Sequence, residues 1–165
     1  MGRPIKPKVT LLVDTREQRP YVFSSAHRRD LAWGGVRHEA LDAGDYSAEL
    51  DGEPLPVFIE RKSLGDLFGV IGQGRDRFER ELERLASEMA QNGGPAYILV
   101  EATAAQVREG YERSHVSGEA ALGSLLHWSV LYGVHPLFAG DRILGKRITQ
   151  GILEDFAAHW MSEND

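Results

Sequence analysis

Ile59-Glu60-Arg61-Lys62-Ser63-Leu64-Gly65-Asp66, preceded by Gly44-Asp45-Tyr46, holds the residue types best suited to chemistry. Val57, Phe58 and Ile59 read as a buried strand, and Glu60, Arg61 and Lys62 follow with no turn residue between. Three consecutive charges at the end of a core strand are costly unless something pairs them. A divalent metal ion and a phosphate group would do so. On a strand Glu60 and Lys62 face one side and Arg61 the other. Asp45 and Glu60 bracket the turn signal Asp51-Gly52-Glu53-Pro54, and the hairpin it predicts can bring both carboxylates to one ion. Hard oxygen ligands favour Mg2+ or Mn2+, which keep several waters and contact substrate phosphate directly. The corresponding chemistry is metal-assisted phosphodiester hydrolysis, with the scissile phosphate polarised and the attacking water made more acidic. Lys62 would orient that water or stabilise the pentacovalent charge. The competing reading has Asp45 as a turn residue and 60–62 as a solvated strand end; the acid-x-Lys pattern on an apolar strand weighs against it.

Neighbouring motifs divide between structure and function. Ser63-x-x-Asp66 is a capping-box pattern, so Asp66 is equally well explained as a first-turn helix acid and as a member of the acidic cluster. Asp14-Thr15-Arg16-Glu17 follows the apolar run Val9 to Val13, and strand ends in such sheets are where ligands bind. Asp14, at the strand terminus, is the stronger candidate, while Glu17 alone is better read as a local partner of Arg16 or Arg19. Gly72-Gln73-Gly74-Arg75 precedes a helix, where backbone N–H groups can hold a phosphate with Arg75 and Arg77 adding charge; a flexible break between helices explains it as well. The six histidines show no metal-ligand spacing.

These residues need a sheet to position them. Strands are expected at Val9–Val13, Val36–Leu41, Tyr46–Leu50, Val57–Glu60, Tyr97–Val100 and Val134–Ala139. A short helix is expected from Ser24 or Ser25 toward Trp33, stopped by Gly34-Gly35, and another over Leu64–Ile71 capped by Ser63. Phe78, Leu82, Leu85 and Met89 form one apolar stripe of a long helix ending at Asn92-Gly93-Gly94-Pro95. Thr103 caps a short helix, residues 110–118 are a loop, and helices run from Glu119 to Tyr132 and from Asp141 to Trp160. Mixed strands and helices with several buried strands predict an α/β fold, a mixed central sheet covered on both faces.

Length and composition suit one domain with a sizeable core, preceded by a basic tail over residues 1–8. There is no cysteine, which excludes disulfides and thiolate metal sites and fits an intracellular setting, cytoplasm or nucleoid in a microbe and nucleus in a eukaryote. No apolar run is long enough to span a bilayer, so no membrane partner is expected. The net charge of −6 argues against a general nucleic-acid coat protein. Residues 1–80 hold 13 basic and 13 acidic residues, so the whole deficit falls in the second half, and a polyanion site belongs to the first. The Leu-rich helix around 122–131 is read as core, with a partner-burying face as the alternative.

Taken together, Val13-Asp14-Thr15-Arg16-Glu17, Gly44-Asp45-Tyr46, Glu60-Arg61-Lys62-Ser63-Leu64-Gly65-Asp66 and Gly74-Arg75 resemble, in order, the XPF-type nuclease domain of structure-specific DNA endonucleases. The likeness covers residues 9–139, and a single nuclease domain over 9–161 is expected. It implies a restriction-endonuclease-like fold, Mg2+ or Mn2+ dependence and cleavage of branched DNA near a duplex–single-strand junction, in repair or recombination. By motif match Asp45 and Glu60 would be metal ligands, with Asp14 and Asp66 completing the acidic cluster. Arg61 and Lys62 would meet the scissile phosphate or water, and Arg16, Arg75 and Arg77 the DNA. Such domains generally work as dimers, which fits a homodimer or partner subunit through the helices near 122–131 and 148–156. The family's tandem helix-hairpin-helix module is not found in these residues, which leaves DNA targeting to a partner or to a compact stand-alone form. Inactive relatives lose the acids and the lysine; here all are present. The alternatives are a non-catalytic DNA-binding or scaffold subunit and a domain binding a small phosphate ligand at the Gly72–Arg75 turn.

Overall fold

A computed structural model describes residues 5–164; residues 1–4 of the expected basic tail lie outside the described residues. The chain runs β1 (Lys8–Asp14), β2 (Ala32–Glu39), β3 (Tyr46–Leu50), β4 (Glu53–Pro54), β5 (Phe58–Lys62), α1 (Leu64–Ile71), α2 (Arg75–Asn92), β6 (Ala96–Val100), α3 (Ala104–Glu109), α4 (Gly118–Tyr132), β7 (His135–Phe138) and α5 (Arg142–Asn164). The strands form one mixed sheet in the order β2-β1-β3-β5-β6-β7, with β4 hairpinned onto β3. β3 is antiparallel to both β1 and β5, whereas β1/β2, β5/β6 and β6/β7 are parallel pairs.

Both faces of the sheet are covered, as the apolar runs require. Val9, Leu11, Val13, Ile59 and Leu99 pack toward α5, where Leu153 and Ala157 are buried. Ile98 and Val100 point the other way, into a core with Leu67 and Phe68 of α1, Phe78, Leu82 and Leu85 of α2, and Leu125 and Trp128 of α4. The α2 stripe buries Phe78, Leu82 and Leu85, as the spacing predicts, and Gly93 ends that helix at φ +76°. Ser63 caps α1 by accepting the Asp66 N–H at 3.1 Å, and Thr103 opens α3 with a complete capping box.

The helix expected between Ser24 and Trp33 does not form. Residues 15–31 are irregular, and β2 begins at Ala32 and runs through both glycines. The reason is close approach. A Cβ on Gly34 would lie 2.4 Å from Thr10 Oγ1 and 2.7 Å from the Val9 carbonyl oxygen, and the β1/β2 register slips by one residue there. The pair therefore builds a bulge on an edge strand and does not stop a helix.

The irregular segment is held by α5. Glu154, fully buried, accepts the backbone N–H groups of His27 and Arg28 at 3.0 Å and the Gln150 amide at 2.9 Å. Glu154→Ala would strand those donors, and urea denaturation is expected to show a loss of about 3 kcal/mol.

Candidate active site

Three strand ends are fastened side by side. The Asp14 N–H donates to the Asp45 carbonyl at 2.8 Å, and the Asp45 N–H donates to the Ile59 carbonyl at 2.8 Å. Gly44 makes the turn into β3 at φ +72°, with its α-carbon against the Ile59 backbone. Asp45 and Glu60 thus reach one cleft through the antiparallel β3/β5 pairing, Tyr46 opposite Ile59. The cleft's inner wall carries Asp14, Arg16, Asp45, Glu60 and Lys62, and α2 contributes Arg77, Glu81 and Arg84. An outer part, sharing Arg16, Asp45, Lys62, Arg77 and Glu81, extends along α1 past Asp66.

The two central carboxylates are poorly compensated. Asp45 accepts the Arg61 backbone N–H through Oδ2 at 2.7 Å. Glu60 accepts Lys62 Nζ through Oε1 at 3.0 Å. Burial raises the Asp45 carboxyl well above its ordinary range, and repulsion from Glu60 and Glu17 adds to it. Burial also raises Glu60, against the opposing pull of Lys62. For Lys62, burial alone would lower the ammonium, but Glu60 and Asp45 reverse this and hold it charged. Its Nζ lies 4.7 Å from the centre of the Phe78 ring.

Asp14 is arranged differently. Both its oxygens are engaged: Oδ1 accepts the Arg16 backbone and Nε–H groups, and Oδ2 accepts Arg16 Nη2 and the Leu41 N–H, all at 2.8 Å. Burial would raise its carboxyl, yet these bonds hold it below the ordinary range. Among the described residues no three acidic or histidine side chains gather as a metal-holding group. Asp14, Asp45 and Glu60 line one cleft, and Asp14 differs from the other two in having both oxygens engaged by Arg16 and the Leu41 N–H. The half-buried Asp45 and the buried Glu60 each keep an oxygen free, which suits an ion that completes its shell with water and phosphate.

Arg61 faces away from Glu60 and Lys62, as strand alternation requires. Its guanidinium is 5% exposed and sits between Glu17 (2.8 and 2.9 Å) and Glu101 (2.8 Å). The expected direct contact with phosphate is replaced by this buried ion cluster. Burial would raise Glu17, but the Arg61 bonds lower it, so Glu17 is a partner of Arg61 and not of Arg16 or Arg19 side chains. Arg75 is also occupied: it bonds Glu79 and Ser124 Oγ at 3.0 Å and stacks over Trp128 at 5.2 Å. Arg77 is free to meet a ligand, with 84% of its side chain exposed and only a 3.8 Å pairing with Glu81. Arg16 lines the cleft with its side chain 63% exposed. Asp66 lies exposed on the outer part of the cleft, whose lining it shares with Asp45 but not with Glu60.

Glu81 and Arg84 are cleft residues that the motifs do not announce. The available signal was the polar row Arg77, Glu81, Arg84 at i, i+4 and i+7, which flanks the buried stripe of α2.

The fold is thus a mixed sheet with helices on both faces, whose acid-x-Lys strand end opens on a cleft lined by charges of both signs. The chain belongs to the ERCC4 domain family, which it matches over residues 13–144. Among solved structures it is similar to XPF from Aeropyrum pernix, at TM-score 0.60 and 21% identity, over 92% of this chain and 65% of that one. The same protein in complex with DNA gives TM-score 0.56 at 21% identity, over 96% and 66%. The chain therefore spans slightly less than two thirds of those structures. No curated protein sequence matches it.

Proposed function

We propose that the chain is a divalent-metal-dependent DNA endonuclease that hydrolyses phosphodiester bonds in branched DNA. The observation that carries this reading is the pair of half-buried Asp45 and buried Glu60, open to one cleft beside a charged Lys62, with desolvation and then Glu60 raising the Asp45 carboxyl. Membership of a DNA endonuclease family and likeness to a DNA-bound structure support it. Asp45 and Glu60 would hold Mg2+ or Mn2+, which when bound supplies Lewis acidity toward the scissile phosphate. Lys62, anchored by Glu60, places its ammonium at the cleft, where it stabilises charge building up on phosphate oxygens and orients the incoming water. Arg16, Arg77 and Arg84 supply the positive rim for the sugar-phosphate backbone.

The test is cleavage of labelled 3′-flap, fork, duplex and single-stranded DNA by wild type and Asp45→Ala, with and without manganese. Manganese-dependent cutting of the branched substrates by wild type alone is expected. DNA bound but never cut, with any metal, would instead favour a non-catalytic subunit.

Protons and metal compete for the same carboxylates. Folded-state values raised above 3.8 for Asp45 and 4.5 for Glu60 mean that their stabilising contribution is complete below the ordinary carboxylate range. It is lost as the pH rises through the raised values. Metal-free protein should therefore melt progressively lower over that interval, and saturating manganese should reverse the trend; a melting temperature indifferent to manganese would count against the site.

We also propose a homodimer through α4. Leu125 and Trp128 of that helix are core, but Leu126, Val130 and Leu131 are 55%, 88% and 59% exposed. On α5, Ile148, Ile152 and Phe156 instead pack against this chain's own core. Val130→Glu is expected to yield a monomer in light scattering.

A further inference from the structure

The side chain that holds Arg61 from behind is Glu101, which directly follows β6. Its backbone N–H donates to the Lys62 carbonyl at 2.9 Å, which ties the ends of β5 and β6 together. Its Oε1 accepts Arg61 Nη1 at 2.8 Å. Its Oε2 accepts the Tyr21 hydroxyl at 2.7 Å, with Arg142 Nη1 3.5 Å away. Tyr21 is in turn closely fitted. Its ring stacks on Tyr46, the residue after Asp45, at 5.2 Å, and its backbone N–H donates to the Tyr46 hydroxyl at 2.9 Å. Arg142 covers the ring at 4.8 Å. On α5, Gly145 makes room for the hydroxyl: a Cβ there would lie 2.3 Å from it.

Resting on the metal-nuclease reading above, we propose that Glu101, braced by Tyr21, is a positioning residue for Asp45. The link is Arg61. Its backbone N–H holds Asp45 Oδ2 at 2.7 Å, while Glu101 and Glu17 keep its guanidinium on the opposite side of the strand. Without Glu101 the guanidinium keeps only its Glu17 bonds, so the strand position that carries the Arg61 N–H loses one of its two side-chain anchors. Asp45 Oδ2, which accepts that N–H, would be held less firmly in its orientation toward the cleft. Partners one shell removed from a metal ligand commonly carry 10–100-fold effects of this kind.

The experiment uses the full chain as wild type, Tyr21→Phe, Glu101→Gln and, as a control, Asp45→Asn. Manganese binding is read from the electron paramagnetic resonance signal of free Mn2+, and the Arg61 backbone amide from 1H–15N spectra. Tyr21→Phe keeps the stacked ring and removes only the hydroxyl, so it decides the question if Glu101→Gln does not fold. The expected result is manganese binding weakened about tenfold or more in both variants, a shifted Arg61 amide, and cleavage that falls about 10–100-fold at limiting manganese and recovers in excess. Wild-type manganese affinity in folded Tyr21→Phe and Glu101→Gln overturns the positioning role alone. A wild type that binds no manganese overturns the nuclease reading and this role together.

Discussion

Asp45→Asn is expected to lower manganese-dependent cleavage by about a thousandfold, ~4 kcal/mol of transition-state stabilisation, while making the metal-free protein melt higher. The two effects share one cause. Asp45 is half-buried, and desolvation together with the Glu60 and Glu17 charges makes its own charge costly in the absence of a cation. An amide keeps an oxygen to accept the Arg61 N–H and removes the burial cost and the repulsion. The rise should be on the order of a few degrees, a trade of stability for a charged site. Single-turnover cleavage of a flap substrate and calorimetry on the same preparations check both. A folded variant that still nicks DNA at the wild-type rate would remove Asp45 from the metal assignment.

Arg61→Ala should be the most damaging single change to the fold, costing about 3–5 kcal/mol. Glu17 and Glu101 share that guanidinium at 2.8–2.9 Å, and both are at least nine-tenths buried. Without it two carboxylates are left in the interior with no cation between them; Glu101 keeps the Tyr21 hydroxyl and Arg142 at 3.5 Å, and Glu17 keeps the Arg19 backbone N–H. Arg61→Lys should recover only part of the loss, because an ammonium cannot bridge two carboxylates with a planar fork. Urea denaturation of the three proteins measures this. Equal midpoints would show that the cluster contributes nothing to folding.

Much of the architecture is legible in local patterns. The apolar runs at Val9–Val13 and Tyr97–Val100 are central strands because a strand buried on both faces reads as uninterrupted apolar residues. The Phe78/Leu82/Leu85 stripe is a helix face for the equally local reason that 3.6-residue periodicity aligns those positions. The misreading of Ser24–Trp33 is instructive in the opposite sense. Gly34-Gly35 looks like a helix stop, yet the glycines are needed by β1, whose Thr10 and Val9 leave no space for a side chain. No property of residues 24–35 alone reveals that neighbour.

Within the site the division follows the range of the interactions. That Glu60 and Lys62 share one face and Arg61 takes the other was determined by the sequence, since strand alternation is a property of the backbone. So was the pairing of Asp45 with Glu60, which needs only a hairpin. Which carboxylates remain available to a cation was decided by tertiary structure alone. Asp14 is withdrawn by Leu41 and Arg16, Arg61 is claimed by Glu101 from 40 residues away, and Tyr21 reaches Glu101 across 80 residues because α5 presents a glycine at 145. A carboxylate's chemistry depends on the charges and N–H groups within a few ångströms of it, and only the folded chain decides who those neighbours are.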